Sequence, residues 1–359
     1  MIDMRTSEFS LTIITVCRNA LPLLRATLEN VLEYKRGHSL DIEHLIVDGA
    51  STDGTPASLA TWQQEGVIEA YISEPDAGIY DAMNKGIRLA RGKVLYFLNA
   101  GDLLTGASLA DCIAPLLEDR GATAAAPVLM KSAGGEKIDA PSYAHVYLGT
   151  PVCHQGFFAT AALYRELGGY DTAHFRCLAD ADFMNRAHAA SGAPYISTAP
   201  VAVYADGGFS ENCGYRFLPE YLYMRDRHWE KIMERSSAEP MYAELISYAM
   251  LDHAVSMMRW VQEFGLEDSH AEILLRHVQT QRRATRSARQ RFMLGWVEKY
   301  CLKPLLAGAV PAPKVSKVLK WFCIAGSLSA GNPYIHPDFY PSRSLIKAIF
   351  ALLRARLFR

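Results

Sequence analysis

The sequence predicts an α/β protein with a parallel sheet at its centre. Over roughly the first hundred residues, short apolar runs rich in β-branched residues alternate with longer segments that have helical apolar spacing. This alternation is the period of βαβ units. Half of the 359 residues are hydrophobic, which is enough for one large core and a second unit of roughly 100 residues or more.

The predicted elements follow one another along the N-terminal part of the chain. The run LTIITVC (11–17) is short, continuous and β-branched, as expected of a buried strand. Asn19 is predicted to cap the next helix, which has Pro22 in its first turn and runs to about Tyr34. The further strands are predicted at 42–48, 67–73 and 93–98, and the further helices at 56–65 and 80–92, with Gly92 as the stop.

Beyond the fourth strand the pattern is less regular. It predicts a helix near 107–118, a strand near 122–130 and a Gly- and Pro-containing loop to about Thr150. From about Glu220 the sequence becomes helical and increasingly basic. We therefore expect a second, mainly helical region after the α/β part.

The carboxyl ends of the predicted parallel strands form the expected ligand site, because ligands bind at that edge of such sheets. The segments that fall there are 15–19, 48–53, 74–78 and 99–102. No phosphate-binding glycine loop is present, so an anionic ligand needs another source of positive charge, and Mg²⁺ or Mn²⁺ held by few carboxylates is the usual one. Asp102, in a small surface turn that ends YFLNAGD, is placed to hold that ion. The alternative is that Asp102 only caps a following helix.

Cysteine usage and hydropathy indicate a reducing compartment. The seven cysteines are scattered and form no C-x-x-C pair, which argues against a disulfide framework and against a zinc knuckle. No apolar run approaches the roughly 18 residues of a membrane span, and the acid-containing first residues do not resemble a signal peptide. We expect a cytoplasmic protein, either soluble or peripheral on the inner face of the cytoplasmic membrane.

Six segments have an order and spacing that carry more information than any one of them alone. They are IVDGASTDGTP (46–56), SEPDAGIYDAMNKGI (73–87), YFLNAGD (96–102), GGYDTAHF (168–175), CLADADFMNRA (177–187) and YADGGFSEN (204–212). Together they resemble family 2 glycosyltransferases with the GT-A fold, especially the bacterial exopolysaccharide or colanic-acid type, over roughly residues 9–230.

The resemblance implies a fold and a division of the chain. The fold is a Rossmann-like mixed α/β sheet with helices on both faces, followed by a C-terminal helical extension. The catalytic domain spans 1–225, with a donor half at about 9–105 and an acceptor half at about 106–225. The region 226–359 is the helical, basic extension.

The resemblance also implies a donor site. The positions that match nucleotide-sugar-binding residues are Thr15, Asp48, Asp76, Asn84 and Asn99. Thr15 and Asp48 would hold the nucleobase and ribose, whereas Asp76 is equally well an ordinary loop residue. Asp102 matches the family's metal-binding Asp, for Mg²⁺ or Mn²⁺. Asn99 and Gly101 stand where many relatives have acids, so oxygens of the donor diphosphate would have to complete the metal's ligands.

The acceptor site is implied in the same way. Asp180 matches the family's general base, with Ala179 in place of the usual preceding Glu, and Asp182 is a substitute candidate. Both acids could instead be first-turn residues favoured by the helix dipole. His154 and Gln155 also resemble this branch and are candidates for the acceptor site, although a lone His near aromatic residues is often structural.

The charge distribution is uneven along the chain. From Arg282 to Arg359, fifteen Lys and Arg face two acids, a net charge of +13, which leaves −14 on the preceding residues because the whole chain carries −1. The tail 344–359 has a moderately amphipathic helical pattern. It is predicted to dock on an anionic membrane surface or, alternatively, to pack on the catalytic domain. No recognisable nucleic-acid-binding module is present, so a nucleic-acid partner is not expected.

Taken together, these features predict an inverting, metal-dependent glycosyltransferase. It would move a sugar from a UDP- or GDP-sugar to a saccharide acceptor, lipid-linked in bacterial surface polysaccharide synthesis. Two alternatives remain at this point: a sugar-phosphate nucleotidyltransferase, and a nucleotide-sugar-binding scaffold of a polysaccharide assembly. A sugar-phosphate nucleotidyltransferase would be expected to have a Gly-rich, Arg-containing loop after the first strand. The segment at that position, CRNALP, has no glycine.

Overall fold

The structure is a computed structural model. It describes residues 9–106, 109–132, 135–143, 146–205, 218–239, 268–284, 291, 294–295 and 297–307. The chain divides into two compact units, Met1–Gly214 and Tyr215–Arg359, which are described separately. The function-based boundary at residue 225 stays a prediction.

The first unit is an α/β unit with two sheets. Its strands are β1 (Phe9–Cys17), β2 (Ile42–Asp48), β3 (Ala70–Ser73), β4 (Gly92–Phe97), β5 (Leu103–Leu104), β6 (Thr123–Ala125), β7 (Val128–Ser132), β8 (Gly135–Asp139), β9 (Phe157–Thr160), β10 (Tyr195–Ile196) and β11 (Ala202–Ala205). Its helices are α1 (Leu21–Gly37), α2 (Thr55–Gln64), α3 (Ile79–Leu89), α4 (Leu109–Leu117), α5 (Ala161–Glu166) and α6 (Ala179–Ser191).

The seven-stranded sheet has the order β10-β6-β9-β4-β1-β2-β3. The four strands predicted first are parallel to one another, since β1 pairs with β2 and β4, and β2 pairs with β3. Strand β9 runs antiparallel to both β4 and β6, so the sheet is mixed, as the family resemblance implies. A second sheet of four strands has the order β5-β11-β7-β8.

The core of this unit lies between the large sheet and its helices. One cluster of buried side chains joins Leu11 and Ile13 of β1 to Val31 of α1 and Ile113 of α4. A second cluster joins Ile46 of β2 to α1 and α2. The continuous apolar runs of β1 and β2 therefore reflect burial on both faces, which is typical of parallel strands.

The segment predicted as one strand at 122–130 divides between the two sheets. Strand β6 belongs to the large sheet and β7 to the small one, and Pro127, which has no backbone N–H to donate, lies between them. The predicted Gly- and Pro-containing loop also holds a strand, because β8 pairs antiparallel with β7. The first difference arises from pairing with distant strands, since β6 pairs with β9 and β10 and β7 pairs with β11, which local composition does not encode. The second is a local hairpin of β7 and β8 that the sequence pattern did not predict.

The start of α1 is held by a residue from another loop. The helix N-cap is Ala20, and its side chain makes no capping bond. Instead Asp53 Oδ2 accepts a hydrogen bond from the backbone N–H of Leu21 at 2.9 Å. Asn19, predicted as the cap, has a positive φ of 50° and accepts from the Thr52 N–H at 2.8 Å. The capping prediction for Asn19 is therefore wrong, and Asn19 links the two loops.

The described part of the second unit is helical, as predicted. Its helices are α7 (Leu218–Arg227), α8 (Trp229–Ala238), α9 (Asp268–Ala284) and α10 (Lys303–Leu306), with a π turn at Glu298–Leu302. The ring of the fully buried His277 stacks on Trp229 at 3.9 Å and lies 3.0 Å from Asp226 Oδ1. The tail 344–359 lies outside the described residues. No helix in the described part of the chain is both long enough and apolar enough to cross a membrane.

Gly92 provides a test of the close packing between β1 and β4. It opens β4 rather than stopping α3, and a Cβ there would come within 2.5 Å of the Thr12 nitrogen and 2.7 Å of the Leu11 carbonyl carbon. We expect Gly92→Ala to lower the free energy of unfolding by about 1–3 kcal/mol, because the backbone of β1 must move. Gly37→Ala, at the end of α1 with no atom within 4 Å of the added Cβ, is the matched control. Equal denaturation midpoints for the two variants would contradict this packing.

Candidate functional site

Asp48 joins the carboxyl ends of three neighbouring strands. Its fully buried carboxylate accepts hydrogen bonds from Ser73 Oγ on β3 at 2.6 Å and from the Ser51 N–H at 3.1 Å. The Cys17 thiol at the end of β1 lies 3.7 Å from Oδ1. Burial raises the pKa of Cys17, and the Asp48 carboxylate adds to the rise. Asp48 therefore holds the three strand ends together at the predicted ligand edge. Its contact with a ribose stays a prediction.

Thr15 has a different position from the one its predicted role requires. Its side chain is fully buried, and its hydroxyl donates to the Leu98 carbonyl oxygen at 2.8 Å and lies 3.0 Å from His44 Nε2. Burial lowers the pKa of His44 to about 3, with the Lys35 charge as a lesser cause, so the imidazole is neutral. The hydroxyl of Thr15 therefore joins β1 to its neighbours within the sheet, and its position does not support contact with a nucleobase or ribose.

Asp76 and Asn84 lie on the loop and helix that follow β3. Asp76 is half-buried, accepts a hydrogen bond from the Gly78 N–H at 3.0 Å, and lies so close to Gly49 that a side chain there would overlap its carboxylate. Asn84 makes a two-point contact with the backbone of Tyr170, donating to its carbonyl at 2.8 Å and accepting from its N–H at 2.9 Å. Asp76 therefore lies at the edge of the sheet where a ligand is predicted to bind. The Asn84 amide instead connects α3 to the backbone of Tyr170.

Asp102 is buried rather than exposed in a surface turn. Only 5% of the residue is accessible, and its Oδ2 accepts a hydrogen bond from Gln155 Nε2 at 2.7 Å. Strand β5 begins at Leu103, so Asp102 does not cap a helix. The preceding Gly101 has a φ of 102°, a conformation that only glycine adopts without strain. The predictions of a surface turn and of a helix cap are both wrong. The turn packs against Gln155, so the carboxylate is buried, and a strand rather than a helix follows it.

Asn99 supplies a second oxygen next to Asp102. Its backbone carbonyl accepts from the Asp102 N–H at 3.0 Å, and its buried side-chain Oδ1 has no hydrogen-bond partner among the described residues. An orphaned buried acceptor costs about 1–3 kcal/mol, which is typical of a position that a ligand completes. In the described part of the chain, no group of three or more His, Cys, Asp or Glu side chains is placed to hold a metal ion. One carboxylate and one amide oxygen fit a hard cation only if a bound ligand adds further oxygens.

Asp180 lies in the first turn of α6, where the helix dipole favours a negative charge. The residue is half-buried. Its Oδ1 accepts from the Tyr80 hydroxyl at 2.8 Å and from the Ala181 N–H at 2.9 Å. No described residue donates to Oδ2. The carboxylate is therefore fixed through one oxygen, while the other remains available.

Asp182, the substitute candidate for the base, is part of the core. Its side chain is fully buried and forms an ion pair with Arg186 Nε at 2.7 Å. The same guanidinium donates to the carbonyl oxygens of Leu167 and Gly169, each at 2.7 Å. Asp182 thus holds the 167–169 loop against α6. Its predicted role at the acceptor site is not supported, because no part of the side chain is accessible.

A single short turn contacts Asp102 through Gln155 and contacts Tyr170, a neighbour of Tyr80, through His154. The 3₁₀ turn His154–Gly156 directs Gln155 to Asp102, as described above. The adjacent His154 lies 3.0 Å from the Tyr170 hydroxyl, and burial lowers its pKa while the charge of Asp180 opposes the shift. Gln155 was predicted for the acceptor site, but its amide supports the donor-side carboxylate.

The carboxylates of Asp102 and Asp180 both affect the pKa of the Cys153 thiol. Burial raises the pKa of its thiol to about 12, and the carboxylates of Asp139, Asp102 and Asp180 add to the rise in that order. Asp102 from the donor half and Asp180 from the acceptor half therefore act on one thiol.

Tyr80 is the contact that sequence reasoning missed. It lies in the first turn of α3, within the segment SEPDAGIYDAMNKGI, in which only Asp76 and Asn84 are predicted as site residues. A buried tyrosine needs a partner for its hydroxyl, so a Tyr next to a ligand loop is the signal that could have found it. Its partner, Asp180, is one hundred residues away, and the pairing could not be read from the sequence.

Comparison with known proteins identifies the family. A family model described as glycosyl transferase family 2 matches residues 12–176. An uncharacterized glycosyltransferase of Mycobacterium tuberculosis (strain H37Rv) is 32% identical over 201 residues, which cover 51% of this chain and 70% of the relative. A PGL/p-HBAD biosynthesis glycosyltransferase of Mycobacterium bovis (strain BCG) is 32% identical over 184 residues, which cover 50% of this chain and 69% of the relative.

A solved structure shares the fold. S. aureus TarS (1–349), determined in complex with UDP-GlcNAc, superposes with a TM-score of 0.53 at 12% identity, covering 84% of this chain and 92% of that chain. The nucleotidyltransferase and scaffold alternatives are set aside, because the matched relatives are named glycosyltransferases. The chain belongs to glycosyltransferase family 2 and is a glycosyltransferase with the GT-A fold.

Proposed function

We propose that this glycosyltransferase transfers a sugar, with inversion at the anomeric carbon, from a nucleoside diphosphate sugar to a lipid-linked saccharide. The observation that carries the proposal is the asymmetry of the Asp180 carboxylate. One oxygen receives two hydrogen bonds, and the other has no donor among the described residues. A general base needs this arrangement, since it must be held in place and still have a lone pair for the incoming proton.

The chemistry assigned to Asp180 is a single proton transfer. As the acceptor hydroxyl oxygen forms its bond to the anomeric carbon, the proton passes to Asp180 Oδ2 and the bond from that carbon to the diphosphate oxygen breaks. The leaving nucleoside diphosphate departs with the electron pair from the face opposite to the attacking oxygen. A single displacement of this kind inverts the anomeric configuration.

Asp102 and Asn99 would hold Mg²⁺ or Mn²⁺ together with the donor diphosphate. This assignment is supported by the buried Asp102 carboxylate, the orphaned amide oxygen of Asn99 in the same turn, and the absence of a glycine cradle for phosphates in the sequence. The ion, when bound, supplies Lewis-acid stabilisation of the negative charge on the leaving diphosphate. Gln155 keeps the Asp102 carboxylate in a fixed orientation.

The donor and acceptor classes are inferred from similar proteins. TarS was solved with UDP-GlcNAc, which supports a UDP-sugar as the first donor to test, with GDP-sugars as the second. The name of the Mycobacterium bovis relative includes PGL/p-HBAD biosynthesis, which supports a glycolipid acceptor. The basic C-terminal region would bring the enzyme to an anionic membrane surface where such an acceptor lies.

The metal assignment predicts ligand binding that depends on both the ion and Asp102. In a thermal-shift panel of UDP-, GDP-, dTDP- and CMP-sugars, we expect one nucleotide class to stabilise the protein more with Mn²⁺ than without it. Asp102→Asn keeps the size of the buried side chain but removes its charge, so the Mn²⁺-dependent part of nucleotide affinity should fall by about tenfold or more. Asp41→Asn, which removes an exposed acid, is the control. Unchanged Mn²⁺-dependent affinity in Asp102→Asn would exclude Asp102 from the metal site.

The base assignment predicts different effects for two acids on the same helix. Asp180→Asn should lower kcat by about 10² or more while donor affinity persists, because an amide cannot take the proton. Asp182→Asn should mainly lower the melting temperature, because it leaves the partly buried Arg186 without its anionic partner. Transfer rate, donor affinity and melting temperature are measured for both variants. Near-normal transfer by Asp180→Asn would refute the mechanism.

The proposed membrane contact is tested by truncation. Deletion of 344–359 should weaken co-sedimentation with vesicles of phosphatidylcholine and phosphatidylglycerol, since each basic residue near an anionic surface contributes about 1 kcal/mol. Transfer to a soluble acceptor should be unaffected. Vesicles of phosphatidylcholine alone are the control. Equal binding of the full-length and truncated proteins to anionic vesicles at low salt would favour packing on the catalytic domain.

A further inference from the structure

Tyr80 connects the donor-side loop to the acceptor-side carboxylate. It follows directly after the 76–78 loop, in the first turn of α3, and only 7% of the residue is accessible. Its hydroxyl lies 2.8 Å from Asp180 Oδ1 and 2.7 Å from the carbonyl oxygen of Cys177. Tyr80 is therefore the donor half's direct hydrogen-bond contact with the proposed base.

We propose that Tyr80 is a positioning residue for Asp180, and the inference rests on the proposed function of that acid as the base. The hydroxyl has a single proton, so it donates to one of its two acceptors at a time or shares the proton between them. Donation to Asp180 Oδ1 fixes the rotation of the carboxylate and leaves Oδ2 for the acceptor hydroxyl. Among the described residues, loss of this donor would leave the carboxylate held by the N–H of the adjacent Ala181 alone.

The environment of Tyr80 keeps its hydroxyl protonated as a donor. Burial raises the pKa of Tyr80 well above its usual value, and the charge of Asp180 adds to the rise. The phenol ring is held by Tyr170, whose ring centre lies 5.4 Å away. Tyr170 is itself fixed by the two-point contact with Asn84 of α3. Helix α3 therefore carries the Tyr80 hydroxyl and, through Asn84 and Tyr170, also holds the Tyr80 ring in place.

A purely structural role does not require the contact with Asp180. The carbonyl of Cys177 alone would satisfy a buried tyrosine hydroxyl, and the ring packing does not depend on the oxygen. The hydroxyl nevertheless lies within hydrogen-bond distance of a carboxylate whose other hydrogen bond in the described part of the chain comes from the adjacent Ala181 N–H. This geometry matches the support that catalytic groups need to stay near their productive orientation.

The test compares Tyr80→Phe with Tyr164→Phe in the full chain. Tyr164 belongs to the same aromatic cluster and is 1% accessible, and its hydroxyl lies 3.2 Å from that of Tyr170, so the control also loses one buried hydroxyl. The donor is the nucleotide sugar selected by the thermal-shift panel, and the acceptors are octyl glycosides. Release of nucleoside diphosphate, donor KM and melting temperature are measured for each variant and for Asp180→Asn.

We expect Tyr80→Phe to lower kcat by about tenfold, which corresponds to about 1.4 kcal/mol, with donor KM unchanged. Its melting temperature should change no more than that of Tyr164→Phe, which should keep normal kcat. In the Asp180→Asn background, Tyr80→Phe should cause no further loss, because both changes act on one group.

Three results would overturn the inference. Normal kcat in Tyr80→Phe together with an inactive Asp180→Asn would refute the role of Tyr80 and leave the proposed function intact. An equal fall in kcat and melting temperature for Tyr80→Phe and Tyr164→Phe would reduce Tyr80 to a packing residue. Normal transfer by Asp180→Asn would refute the base itself, and the role of Tyr80 with it.

Discussion

The candidate site depends on two hydrogen bonds that cross between the predicted donor half and the predicted acceptor half. Gln155 of the acceptor half donates to Asp102, and Tyr80 of the donor half donates to Asp180. A carboxylate removed from water is costly unless donors replace the lost hydration. Each acid therefore receives a hydrogen bond from a segment far away in the chain, and both contacts require the two halves to be packed together.

The parallel sheet provides the rigid frame for this arrangement. Asp48 connects the carboxyl ends of β1, β2 and β3. The chain turns at Asn99 and brings Asp102 into contact with the 154–156 turn. That turn then reaches the surroundings of Asp180 through the adjacent His154. The proposed metal and the proposed base thus share one short segment of backbone. A displacement of that turn would therefore disturb both the proposed metal site and the surroundings of the proposed base.

The sequence predicted what local pattern encodes and missed what distant contacts decide. The four parallel strands and the strand-end positions of Asp48 and Asp102 follow from apolar runs and turn residues, and the ordered motifs identified the family. The side-chain partners did not follow, because they come from segments far away in the chain. Thr15 was assigned to the ligand, but the register of β1 turns its hydroxyl into the sheet. The burial of Asp102 by Gln155 has the same kind of origin.

The central claim of this account is that the two acids serve one displacement reaction. Asp180 is the base that takes the proton of the acceptor hydroxyl, and the donor diphosphate leaves on the side of Asp102. Such a mechanism has one displacement at the anomeric carbon and no covalent glycosyl-enzyme intermediate. The most direct measurement is the anomeric configuration of the first-formed product by proton NMR, recorded before mutarotation or further transfer. The account predicts that the product has the configuration opposite to that of the donor. A product that keeps the donor's configuration would contradict it.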